Sequence, residues 1–399
     1  MVTTIIIALC VLTLLAYLFD VSAKKTQVPG VILLLMLGIG IRLLSDFFSL
    51  NIPNLRNVLH VLGTIGLILI VLEGSLDLEL KKDKFPLIRD TLISAIVLLV
   101  ICSLTFAYAF TWMFHVPFNI AIINAIPLGI ISSAIAISSV YHLDPVKKEF
   151  VIYESSFSDI IGILLFNYVT LNSDFGLGSA TGFFFQVLLV LIISASASFG
   201  LAILLHKITH HVKVIPIITI LLLLYTVAKV LNLPSLVLIL VFGIFLNNIR
   251  LLYFVSFKIP QFHDIIKPHS IEIELVQFKN LVVEVTFVVR SFFFIMFGYY
   301  THLPSFLNPE NIALALGIIG FILISRALYF KVMKLPSDPV LFVAPRGLIT
   351  ILLFFSIAES QKIPQINEGL LSQVIFISAF IMMIGLVQYR KEPEKTLPA

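Results

Sequence analysis

Pro127-Leu-Gly-Ile-Ile-Ser-Ser-Ala-Ile-Ala-Ile-Ser-Ser139 and Phe342-Val-Ala-Pro-Arg-Gly-Leu-Ile-Thr350 are the stretches on which the reading of this chain turns. Each is an apolar run carrying proline and glycine, joined by serines in the first and by an arginine in the second. Their surroundings are just as apolar: 59% of the 399 residues are hydrophobic, 12% are charged, and the mean hydropathy is +1.10. Such a composition lies outside the soluble range and places the chain in lipid. At membrane depth a broken helix is tolerated only where protein or a water-lined cavity satisfies the freed amides. The two interruptions therefore mark where the interior is specialised.

Working outward, apolar segments long enough to cross the hydrocarbon follow one another almost end to end, and roughly thirteen are expected. Their approximate centres are Leu12, Leu37, Leu67, Leu98, Ile130, Ile161, Leu191, Leu222, Leu240, Val288, Ile318, Thr350 and Phe380. Lys and Arg set the orientation, because short cytoplasmic loops retain them. Lys24 and Lys25, Lys81 to Arg89, Lys147 and Lys148, Lys207 and Lys213, Arg250 to Lys267, Lys331 and Lys334, and Arg390 to Lys395 fall on one side, leaving little beyond Arg42, Arg56 and Lys362 on the other. The expected N-terminus is outside and the C-terminus cytosolic, in a bacterial inner membrane. The first span has no positive n-region or small-residue cleavage site, so it reads as a true span.

The net charge of +4 reports topology. No basic arm or aromatic-basic pattern points to nucleic acid. Cys10 and Cys102 lie in apolar segments as small hydrophobes, without metal-ligand spacing. No nucleotide loop or nucleophile-base pairing appears, so an enzyme is not expected, nor a cofactor. The polar stretches are too short for a soluble domain, and function must lie within the membrane.

The two interrupted spans are the fifth and the twelfth. An odd offset makes them antiparallel, as an inverted repeat of about six helices plus one linking helix would produce. At about 1.5 Å per residue, Ser132 and Ser133 in one span and Pro345, Arg346 and Gly347 in the other fall near mid-bilayer, so the breaks should cross there. The competing reading is that glycine and serine simply permit close helix packing.

Burying a charge at the centre of a span costs roughly 2.5–3.5 kcal/mol on insertion scales, so intramembrane acids are functional candidates. The sixth span, Lys147 to Asn167, carries Glu154 near its cytosolic end and Asp159 near the midplane. Five residues turn the helix by about 140°, which gives the carboxylates different neighbours and argues against a shared-proton dyad. Asp159 is the better ion ligand, since one buried carboxylate can hold a proton or a hard cation in turn. Its alternative is a helix-helix hydrogen bond. Arg326, in the eleventh span, reaches a similar depth to Glu154. The two are expected to form a structural salt bridge, with direct transport the second possibility. Glu73, Glu284 and Arg290 read as packing or interface residues. His206, His210 and His211 form a cytosolic cluster that either senses acidity or is simply interfacial.

Together these residues resemble the cation/proton antiporter superfamily, especially its NhaP and sodium/proton exchanger branch. Glu154-Ser155-Ser156-Phe157-Ser158-Asp159 is similar to that branch's E-S-x-x-N-D, with serine replacing asparagine, and Arg326 matches the arginine that pairs with the family's Glu. Gln27-Val-Pro29-Gly30, Leu72-Glu73-Gly74-Ser-Leu76-Asp77 and Pro345-Arg346-Gly347 resemble further family segments in the same order. The T-D-P of the first crossing helix is absent, and Ser132-Ser133 resembles the S-S-T of the other antiporter branch.

The resemblance implies an all-α polytopic protein with the NhaA-like antiporter fold, working as a homodimer. Residues 1–80 and 214–303 would form the scaffold, 90–171 and 310–389 the moving core, 181–206 the linking helix and 390–399 a cytosolic tail. It implies exchange of Na⁺, with Li⁺ or K⁺ open, for H⁺ by elevator-like alternating access. The ion would be held by Asp159, Ser158, Ser155, Ser132 and Ser133. With a single acid in the site, electroneutral exchange is expected. A cation channel and an organic-anion symporter on a similar fold are the alternatives, Arg346 being the loose cationic candidate for an anion.

Overall fold

A computed structural model describes residues 2–26, 28–49, 55–76, 84–140, 143–172, 177–207, 214–231, 233–248, 268–301, 303–306, 308–335 and 337–391. Among these residues the regular structure is helical throughout. The reason is elementary: lipid offers no partner for backbone N–H and C=O groups, and a helix satisfies them within one segment. The helices are α1 (Val2–Thr26), α2 (Gly30–Phe47), α3 (Arg56–Leu76), α4 (Phe85–Phe114), α5 (Phe118–Gly129), α6 (Ser133–Ser139), α7 (Pro145–Leu171), α8 (Leu177–Lys207), α9 (Val214–Val230), α10 (Ser235–Asn247), α11 (Pro268–Tyr300), α12 (Pro309–Met333), α13 (Leu348–Ser356) and α14 (Glu368–Lys391), with a one-turn helix at Leu303–Phe306 before α12.

Six of the described stretches are long and apolar enough to cross a membrane, among them Phe85–Phe114 and the pair α5–α6 taken as Phe118–Ser139, and five shorter apolar helices lie alongside. With α7, which carries more charge, and α13, shortened by its break, they make thirteen spans among the described residues. The chain is a multi-pass membrane protein. The sequence-derived count and the positions of both interrupted spans agree with this architecture.

The chain divides into two compact units. The first comprises residues 1–63, 89–162 and 290–399. Within it α1 packs on α2 and α6, α5 on α13, and α12 on α14. The second comprises residues 64–88 and 163–289. Within it α10 packs between α8 and α9, and Ser194 on α8 donates a hydrogen bond to the Leu238 carbonyl at 3.1 Å. All the residues that matter for the site described next belong to the first unit.

Local chemistry places the ends of the helices that frame this site. Asp144 caps α7 by accepting the Lys147 backbone N–H at 3.0 Å. Burial alone would raise the Asp144 carboxyl, but the hydrogen bonds and charge of Lys147 outweigh it and hold the group below the usual carboxylate range. At α12, the Asn308 side chain accepts the Glu310 N–H at 3.0 Å and Pro309 occupies the first turn, where its missing N–H costs nothing. The helix ends at Lys334, which turns left-handed with φ 54°.

Candidate ion site at two crossing breaks

The first break lies just beyond Pro127, which sits inside the last turn of α5. The helix ends at Gly129, Ile130 and Ser132 adopt extended backbone, and α6 restarts at Ser133. That leaves amides without helical partners in a buried region, where an unmade hydrogen bond costs about 1–3 kcal/mol. Two side-by-side contacts answer the need. The Ile131 N–H donates to the Ser158 hydroxyl at 2.9 Å, and the Ser132 N–H donates to the Pro345 carbonyl at 2.8 Å.

The second contact joins the two breaks directly. On the other side of the crossing, a short 3₁₀ turn at Val340–Phe342 leads into residues 343–347, which are in no regular structure, before α13 begins at Leu348. Arg346 continues the stitching, its backbone N–H donating to the Ser378 hydroxyl on α14 at 3.0 Å. The crossing expected from the odd offset of the two spans is therefore present, held by backbone as much as by side chains.

Glycine is required at one point of the crossing. A Cβ on Gly347 would lie 2.8 Å from the Ser132 Cβ and collide with its hydroxyl. Gly347→Ala should therefore push the breaks apart, at the cost of about 1–3 kcal/mol typical of overpacking. Thermal melting in detergent should show that loss, and Ser132→Gly in the same chain should restore much of it. A melt unchanged by Gly347→Ala would show that the two strands are not in contact. Gly162 plays a similar part on α7, since a Cβ there would meet the Ile130 side chain at the first break.

This packing brings Asp159 to the break. Its side chain is 8% exposed, and Ser133 offers it hydrogen bonds from both hydroxyl and backbone N–H. The other oxygen, Oδ1, is buried without a hydrogen-bond partner among the described residues. A carboxylate gripped on one side and open on the other has the donor set for a hard monovalent cation or a proton. Ser132, the chain neighbour of Ser133, is likewise buried.

Glu154 is treated differently. It is 1% exposed, as is Arg326, and the two meet in a bidentate pair, Nη1 to Oε1 and Nη2 to Oε2, each at 3.0 Å. Ser94 on α4 donates a further bond to Oε1 at 2.6 Å. Arg326 also reaches the Val340 carbonyl from Nη2 at 3.0 Å and the Leu341 carbonyl from Nε at 3.2 Å. Thus the pair, saturated with partners, ties α4, α7 and α12 to the turn that precedes the second break. Its geometry is that of a clamp.

Of the serines singled out in the sequence, Ser133 touches Asp159, and Ser158 is occupied with the Ile131 amide. Ser155 donates back to the Val151 carbonyl in its own helix at 2.7 Å. Glu284 is exposed, while Glu73 and Arg290 are half-buried, outside the fully buried polar set. His210 and His211, and the side chain of His206, lie outside the described residues, as does the tail from residue 392. Ser94 and Ser378 were not singled out beforehand. Each is one of two serines in an apolar helix, Ser103 and Ser372 being the others, a pattern indistinguishable from ordinary packing until the fold brings its partner.

The sequence model of the family described as sodium/hydrogen exchanger, transmembrane, matches residues 10–388. No curated protein matches the chain in sequence. Among solved structures, that of the sodium proton antiporter MjNhaP1 from Methanocaldococcus jannaschii at pH 8 is similar with a TM-score of 0.68 at 17% identity, over 97% of this chain and 96% of that one. A structure of the same antiporter from an electron-microscopy map gives a TM-score of 0.67 at 18% identity, over 100% of both chains. At those identities the likeness is one of fold, and it is the family's NhaP-like antiporter fold. Because the family match spans nearly the whole length, the chain belongs to the transmembrane sodium/hydrogen exchanger family.

Proposed function

We propose that this protein exchanges a monovalent cation, sodium first, for protons at Asp159. The observation that carries the reading is the asymmetry of that carboxylate: Ser133 holds one side while Oδ1 is buried and unpartnered. A proton satisfies Oδ1 by converting it to a donor, and a cation satisfies it by coordination. The two cannot occupy the same oxygen together, so binding one releases the other, and that competition is the exchange step. Ser132 and Ser133 supply oxygen near the carboxylate, with Ser155 and Ser158 shaping the helix that bears it. Family membership and the fold support cation/proton transport as the class of activity.

The cycle proposed is alternating access. Residues 90–171 and 310–389 move as a core against a scaffold of residues 1–80 and 214–303, linked by residues 181–206, within a homodimer in the inner membrane with its C-terminus cytosolic. Inverted repeats joined at crossing breaks are the architecture on which such rocking or lifting is built. Glu154 and Arg326 travel together as an internally neutral clamp and carry no net charge. One acid serving one cation or one proton makes each turnover electrically neutral.

Proteoliposomes carrying a proton gradient test this. Addition of sodium, lithium or potassium in turn should collapse the gradient, sodium at the lowest concentration, with no current on a supported membrane at saturating gradients. A steady current would overturn electroneutrality. A sodium conductance without proton movement would replace exchange by a channel.

A further inference from the structure

Asn124 lies in the middle of α5, 1% exposed among apolar neighbours, five residues before Gly129 where that helix ends. A buried amide in an apolar span is stable only where its donors and its acceptor find partners. Here both are engaged. Nδ2 donates to the Ile120 carbonyl of its own helix at 2.9 Å and to the Gln361 carbonyl at 2.7 Å, while Oδ1 accepts the Ile363 backbone N–H at 3.3 Å. Towards Gln361 and Ile363 the side chain thus does the work of a peptide unit, satisfying one carbonyl and one amide that no α-helix satisfies.

The segment it grips connects α13 to α14 through a 3₁₀ turn at Glu359–Gln361. It is not a loose loop. Ile357, Ile363 and Ile366 are buried, and Lys362 Nζ lies 5.3 Å from the centre of the Phe354 ring, which braces the segment against α13. At its far end Asn367 Oδ1 accepts the Leu370 N–H at 3.0 Å and caps the start of α14. Holding this segment therefore means holding α13.

The two broken helices, α5 and α13, pack on each other and are stitched at two levels. At the breaks the Ser132 N–H donates to the Pro345 carbonyl at 2.8 Å; at the end of α13 remote from its break, Asn124 grips Gln361 and Ile363. At about 1.5 Å per residue, the five residues from Asn124 to Gly129 span about 7.5 Å of helix. A helix tied at one point can slide or tilt about it, whereas one tied at two points this close keeps its register.

We infer that Asn124 is a positioning residue that locks α5 to the segment after α13 and so fixes the register of the crossing. Ser133, which holds Asp159, opens α6 immediately beyond the first break, so a slip of α5 is passed to that grip. The bearing on transport rests on Asp159 being the ion site; the bearing on the crossing does not.

Two readouts on the whole protein test the two halves. The Ile131 and Ser132 amides donate to Ser158 and Pro345, so hydrogen exchange in the stretch 126–136 reports on the crossing directly. For Asn124→Ala in detergent, exchange there is expected to quicken about tenfold, the size of one or two lost hydrogen bonds in a local opening. In proteoliposomes the apparent KM for sodium should rise about three- to tenfold with kcat within about twofold, the pattern of a loosened binding site. Ile363→Val is the matched control, since it thins the same contact but keeps the main-chain N–H. It should lower the melting temperature and leave both readouts at the parent values. If Asn124→Ala does not fold, Asn124→Ser, whose hydroxyl is too short to span Gln361 and Ile363 together, should move both in the same direction.

Unchanged exchange at 126–136 in a folded Asn124 variant overturns the inference, as does an Ile363→Val protein that shifts as far as Asn124→Ala. Asp159→Asn, read by sodium-dependent thermal stabilisation, separates the two readings. If that stabilisation persists, the assignment of the ion site fails by itself, and the exchange rates still decide whether Asn124 holds the crossing. If it is lost while Asn124→Ala quickens exchange and leaves the KM at the parent value, the ion site stands and the positioning role of Asn124 in transport fails.

Discussion

Asp159→Asn is expected to abolish cation-driven proton movement, lowering it by at least about 100-fold, while leaving the protein folded. The amide keeps the size of the side chain and can still accept from Ser133, so the break should persist. It loses the exchangeable charge, and with it both the proton and the electrostatic attraction for the cation. Two measurements together decide the matter. Proton movement in vesicles should fall to the level of empty liposomes. Thermal melting in detergent should lose its sodium dependence, which for the parent amounts to about 2.7 kcal/mol when sodium is about 100 times its Kd. Retention of either response would place the ion elsewhere. Retained stabilisation with lost transport would mean that Asp159 carries only the proton.

Arg326→Ala should have the largest effect on stability, because it strands Glu154 in a site 1% exposed. Breaking a buried pair by removing one partner costs roughly 3–5 kcal/mol, more than the pair itself contributes. The Ser94 hydroxyl would be the one remaining donor to that carboxylate among the bonds described above, and the carbonyls of Val340 and Leu341 would lose theirs. Glu154→Gln with Arg326→Ala removes both charges and should recover a substantial part of the loss in a double-mutant cycle read by thermal or denaturant melting. Exchange activity in that double variant separates the two roles weighed for the pair. Recovery of stability together with transport means a clamp; recovery of stability without transport means that the pair takes part in moving the ion. Additive losses with no coupling would contradict the bidentate contact itself.

Much of this was legible from the residues. Apolar length and basic residues gave the spans, because each helix in lipid must close its own backbone hydrogen bonds and so betrays itself by composition alone. The pairing of Glu154 with Arg326 followed from the same economy: two isolated charges at matching depth in an apolar interior have few other ways to be stable. Pro127 and the Pro345-Arg346-Gly347 run gave the breaks, since proline removes a donor and glycine admits close backbone approach.

What the sequence could not decide was which polar group meets which. Ser155 and Ser158 sit in one helix three residues apart, yet Ser155 bonds to its own helix and Ser158 to the Ile131 amide of another. Ser94 and Ser378 gave no signal of their roles with Glu154 and Arg346. A serine hydroxyl satisfies itself on the nearest orphaned group, and the nearest group across a helix interface is fixed by rotation and depth, not by spacing along the chain. For the same reason only the tertiary structure separates Arg326, fully paired, from Arg346, equally buried with two nitrogens unpartnered. The sequence by itself determined the membrane, the spans, the breaks and the charged residues that had to be buried; the packing of the crossing helices decided which of those charges cancel.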